Sequence, residues 1–97
     1  MNDFCVKENI NYEIINFDKL INYFNSDTIS IIGADRILDD NSVINGIPSL
    51  ELAKQCNSKI PFYVMAESFK KDNNLIIEEG FDLIPNHLIA EIISNKN

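Results

Sequence analysis

A β-rich apolar run, Thr28-Ile29-Ser30-Ile31-Ile32, ends at Gly33-Ala34 and delivers a carboxylate and a guanidinium side by side, Asp35 and Arg36. In parallel α/β sheets, ligands sit in the crevice beyond the carboxyl ends of the strands. A carboxylate held there can exchange protons with a substrate, so Asp35 is the candidate acid–base group. It could equally cap the turn that follows. Arg36 could hold a phosphate, although an exposed ion pair of small energetic value is the favoured reading. Asn45 and Ser49 flank an expected helix start, where they cap the helix or bind an anion. Glu67-Ser68 end a third strand and share the sheet edge of Gly33-Ala34-Asp35 if the strands are parallel.

Other reactive residues have plainer roles. His87 falls in the first turn of an expected last helix, where a positive charge opposes the helix dipole, so it is read as neutral and structural. Asp39-Asp40 and Glu78-Glu79 read as solvated loop charges rather than a metal pair. With one His and no ligand-spaced cysteines, no zinc set is expected. No metal or cofactor is called for.

The elements that must position these residues follow from periodicity. Residues 1–11 read as an irregular lead-in and Tyr12–Phe17 as a first strand. Asp18 opens a helix with Leu20, Ile21 and Phe24 on one face, ending near Asn25-Ser26. Thr28–Ile32 is a second strand, apolar enough to be covered on both faces. A long loop runs from Gly33 to Asn45, with the turn cluster Asp39-Asp40-Asn41-Ser42 and a brief apolar patch at Val43-Ile44. A helix spans Ile47 to Asn57, where Leu50, Ala53 and Cys56 repeat on one face, making Cys56 a small buried hydrophobe. Ile60–Ala66 is a third strand with Pro61 near its start. Residues 69–80 read as a flexible loop that can hold a little strand, Phe81–Ile84 as a fourth strand, and Pro85-Asn86 opens a final helix with Leu88, Ile89, Ile92 and Ile93 inward. Alternating strands and helices imply a small, mainly parallel Rossmann-like α/β sheet flanked by helices, one domain over residues 1–97.

Composition narrows the function class. The chain has 97 residues, 45% of them hydrophobic, no Trp, and a formal net charge of −7. The acidity is spread along the chain and disfavours nucleic acid, which needs a basic stripe. No apolar run reaches the about 20 residues of a membrane span, and Asp3, Lys7 and Glu8 interrupt any secretory core. A cytoplasmic protein with free Cys5 and Cys56 is the expectation.

The blocks Gly33-Ala34-Asp35-Arg36-Ile37, Val43-Ile44-Asn45, Ile60-Pro61-Phe62-Tyr63-Val64-Met65-Ala66-Glu67-Ser68-Phe69-Lys70 and Phe81-Asp82-Leu83-Ile84-Pro85 carry a resemblance. Their order and spacing resemble the C-terminal part of the family that joins the regulatory (alpha, beta, delta) subunits of translation initiation factor 2B with ribose-1,5-bisphosphate isomerase and methylthioribose-1-phosphate isomerase. The resemblance runs from about Asn11 to Ser94 and implies an incomplete Rossmann-like C-terminal domain that dimerises. It also implies that Asp35 stands where the isomerases keep their acid–base aspartate, with Gly33, Ala34, Arg36, Asn45, Ser49, Glu67 and Ser68 around the ligand.

Departures from the family pattern weigh against chemistry. The N-terminal helical domain and the loop bearing the family's second catalytic residue, a cysteine, have no counterpart here, and Cys5 stands in no matching motif. The family's Asn-Lys-Ile-Gly-Thr segment appears as Asn45-Gly46-Ile47-Pro48-Ser49, without its lysine. Losing a fixed positive charge weakens anion binding. Losing one of two catalytic groups lowers turnover steeply. The leading expectation is therefore a binding or assembly module without catalysis of its own. It would be a homodimer, or the partner of a polypeptide carrying the missing N-terminal region. The rivals are a split sugar-phosphate isomerase using Asp35, and a sensor of nucleotides or sugar phosphates that binds a phosphate-containing small molecule.

Overall fold

The computed structural model describes residues 10–66 and 71–94. Seven strands, one α-helix and two 3-10 helices alternate along them. The strands are β1 (Ser30–Ile32), β2 (Arg36–Leu38), β3 (Val43–Gly46), β4 (Phe62–Ala66), β5 (Lys71–Asp72), β6 (Phe81–Ile84) and β7 (Glu91–Ser94). The α-helix, α1, is Ser49–Cys56, and the 3-10 helices are Phe17–Tyr23 and Asn86–Leu88.

The strands form two sheets. One is three-stranded, order β1-β4-β7, and wholly parallel. The other is four-stranded, order β5-β2-β3-β6, antiparallel except for its β2–β5 edge pair. The second and third expected strands are parallel, as β1 and β4, and pair directly, with Ile32 opposite Val64.

A single apolar cluster joins the sheets. Ile37, Val43 and Ile84 come from the four-stranded sheet, Phe62 and Val64 from the parallel one, and Ala53 and Cys56 from α1. Alternation along each strand selects these residues: Phe62 and Val64 point inward while Tyr63 and Met65 point away. The i, i+3 spacing of Ala53 and Cys56 brings both onto the buried stripe of α1, as expected.

Several expected elements are different. Tyr12–Phe17 is not a strand: it is irregular up to the 3-10 helix, and Ile14 is 75% exposed. β-Propensity needs a partner strand to act on, and among the described residues none lies beside it. The expected helix from Asp18 is 3-10, opened by Asn16, whose side-chain oxygen accepts from the Asp18 N–H at 3.1 Å. The Tyr23 hydroxyl donates to Glu13 at 3.0 Å, and this carboxylate holds the phenol above its ordinary range.

The expected loop from Gly33 to Asn45 is instead the β2–β3 hairpin. Its turn is built by the Asp/Asn cluster: the Ser42 N–H donates to Asp40 Oδ1 at 2.8 Å, and Asn41 takes φ +70°. Asn tolerates the left-handed region better than most residues. The expected mainly parallel arrangement therefore holds for the β1-β4-β7 sheet but not for the four-stranded one, because a short turn can join only antiparallel strands. The final helix is also absent. Only Asn86–Leu88 turns as 3-10, and Glu91–Ser94 pairs parallel to β4 as a third strand of that sheet. His87 thus lies in a 3-10 turn rather than at an α-helix start. Among the described residues one α-helix, not three, covers the sheets. Glu67, Ser68 and residues 69–70 of the expected loop lie outside the described residues. Of the rest of the expected loop, Lys71–Asp72 form β5, residues 73–78 carry no regular structure and residues 79–80 turn.

Burial of Cys56 has a chemical consequence. Its side chain is fully enclosed, and desolvation pushes the thiol up, opposed more weakly by a hydrogen bond with Ser30. A thiol raised in the folded state contributes full stability below its ordinary value. Above that value the unfolded chain sheds a proton that the folded chain keeps, so stability falls. In a Cys5→Ser background, a thiol reagent will label Cys56 only as fast as the chain opens. The urea midpoint will drop above about pH 9 more steeply than in Cys56→Ala. Immediate labelling of the folded chain contradicts this.

Candidate functional site

Four of the residues expected to form one site fall into two clefts, Asp35 and Arg36 in one and Asn45 and Ser49 in the other. Period-two alternation in the four-stranded sheet explains the division. Val43 and Asn45 of β3 pair with Ile84 and Asp82 of β6, and Val43 and Ile84 belong to the core, so this face looks toward α1. Ile44 pairs with Arg36 on one side and Leu83 on the other, and Gly46 pairs with Phe81; these positions form the opposite, outer face.

The outer face holds a cleft of about 180 Å³ lined by Asp35, Arg36, Ile44, Glu78 and Phe81. Asp35 is fixed through its backbone, whose N–H donates to the Ile44 carbonyl at 2.9 Å. Its carboxylate is exposed and has no hydrogen-bond partner among the described residues. Arg36 donates to the Ile76 carbonyl at 2.8 Å and to the Asn74 carbonyl, clamping residues 74–76 against the hairpin. Asn74 turns that segment locally, its side chain accepting from the Ile76 N–H at 3.0 Å.

This clamp is testable. Arg36→Ala should release residues 73–80 and speed proteolysis there several-fold, on the order of 1 kcal/mol after solvent screening. The melting temperature should hardly move. Arg36→Lys should restore only part of the protection, since an ammonium lacks the planar fork. Unchanged cleavage would show that Arg36 does not hold the segment.

The inner cleft, about 430 Å³, lies where β1 ends and α1 begins. Ile32 lines it with Asn45, Gly46, Ile47, Pro48, Ser49, Leu52 and Phe17. Ser49 is buried and donates its hydroxyl to the Gly46 carbonyl. Asn45 is half-buried at the cleft wall. The helix start already has a negative charge: the Leu50 N–H donates to Asp82 Oδ2 at 3.1 Å. A carboxylate at a helix N-terminus is favourable against the macrodipole and competes with any external anion. Among the described residues, no buried side-chain nitrogen or oxygen lacks a hydrogen-bond partner. No group of three or more potential metal ligands is present among them either.

Asp82 is the residue that sequence reasoning missed. It sits in a strand 32 residues beyond the amide it caps, so no local pattern announces it. Asp82→Ala should lower stability by about 1 kcal/mol, as loss of a helix cap does. Urea denaturation reads this directly. An unchanged midpoint would mean that α1 is capped by another group.

Gly33 and Ala34 line neither of these two clefts. A Cβ at Gly33 would lie 4.0 Å from the Met65 carbonyl oxygen, an ordinary contact, so the backbone does not require glycine there. Cys56 is buried in the core, away from both clefts. No helix among the described residues is long and apolar enough to cross a membrane.

Comparison with known proteins fits this architecture. Residues 3–80 match the Initiation factor 2 subunit family. A translation initiation factor eIF-2B subunit 2-like protein of Pyrococcus abyssi is 32% identical, over 88% of this chain and 38% of its own. The Pyrococcus furiosus counterpart is 36% identical, over 74% of this chain and 26% of its own. The crystal structure of Pyrococcus horikoshii OT3 translation initiation factor eIF-2B superposes with a TM-score of 0.77 at 26% identity, covering 95% of this chain and 40% of that one. This chain therefore spans well under half the length of the relatives it matches. The family match and the superposed fold agree, and the chain belongs to the initiation factor 2 subunit family.

Proposed function

We infer that the chain is a binding or assembly module of the initiation factor 2 subunit family and has no isomerase turnover of its own. The observation that supports this most is the division of the expected site. Arg36 belongs to the outer face of the four-stranded sheet and Asn45 to its inner face. Aldose–ketose isomerisation needs an acid–base group and a phosphate ligand around one sugar in near-attack geometry. Here the guanidinium is engaged by backbone carbonyls and the helix start by Asp82. The lysine expected from the family pattern beside Asn45 is Gly46.

The test is turnover. Purified chain incubated with ribose 1,5-bisphosphate or methylthioribose 1-phosphate should convert neither above the rate without protein. Conversion that disappears in Asp35→Asn would overturn the reading.

One observation favours a second reading, in which the chain completes a split isomerase. The Asp35 carboxylate is exposed at a strand junction and has no hydrogen-bond partner among the described residues. A polypeptide supplying the catalytic cysteine could then use Asp35 in trans. A reconstituted complex that stays fully active with Asp35→Asn would exclude it.

A further inference from the structure

We draw no further inference here: the strongest candidate, the cavity of about 450 Å³ between the β2–β3 turn and the start of β7, carries nothing, because its two carboxylates, Asp40 and Glu91, are an acidic pair and nothing else in the structure points to a ligand there.

Discussion

Phe62→Ala should destabilise the chain by about 3–5 kcal/mol, the range for emptying a buried aromatic site. Phe62 is 2% exposed and lies in the cluster that joins both sheets. Its backbone is equally committed: it pairs with Ser30 of β1, and its carbonyl accepts from the Ala90 N–H at 2.8 Å. The strand framework therefore cannot collapse easily into the space left behind. Domains of this size have about 5–15 kcal/mol in total, and each kcal/mol moves the melting temperature by about 4–8 °C. A fall of more than about 12 °C is expected. Met65→Ala, on the same strand but half-exposed, should cost less than about 1 kcal/mol. Similar losses at the two positions would contradict the inside–outside assignment of β4.

Ile84→Ala should cost about 2–5 kcal/mol, and its distribution matters more than its size. Ile84 is fully buried and belongs to β6 of the four-stranded sheet, yet it packs in the cluster that contains Val64 and Phe62 of the parallel sheet. If that cluster makes the two sheets one cooperative unit, amides of both should lose exchange protection by the same free energy. Ile37 and Ile44 report on one sheet, Val64 and Ile92 on the other. Loss confined to Ile37 and Ile44 would show that the sheets open independently.

Much of the framework was legible because its signals are local. Ser49–Cys56 and Phe81–Ile84 carry their periodicity in their own residues, and Ile60–Ala66 contains the observed β4. The failures come from partners that sequence does not show. Tyr12–Phe17 has strand-forming residues and, among the described residues, no strand to pair with. Leu88, Ile89, Ile92 and Ile93 can be read as a helical stripe, but β4 offers an edge, so Ile92 turns in and Ile93 out as β7. A short apolar run rich in β-branched residues does not distinguish these outcomes by periodicity. The Asp39–Ser42 cluster reads as a turn from its residue types, while the strands on either side are too short to announce a hairpin.

The candidate site was less legible than the fold for the same reason. Asp35, Arg36, Asn45 and Ser49 lie close in sequence, and a crevice at one sheet edge would gather them. The β2–β3 hairpin instead turns Arg36 and Asn45 to opposite faces of the sheet. The helix start is closed by Asp82, and the guanidinium by Asn74 and Ile76. Both contacts cross more than 30 residues of sequence, so neither has a local signature.

The central claim is that these residues do not make one sugar-phosphate site, and a titration of the isotope-labelled chain with ribose 1,5-bisphosphate, followed by amide chemical shifts, tests it most directly. The account predicts that the amides of Asp35 and Arg36 and those of Asn45 and Ser49 do not move together along a shared saturation curve. Saturable shifts of both sets with a common dissociation constant would contradict it, because one ligand would then be bridging the two faces that the hairpin separates.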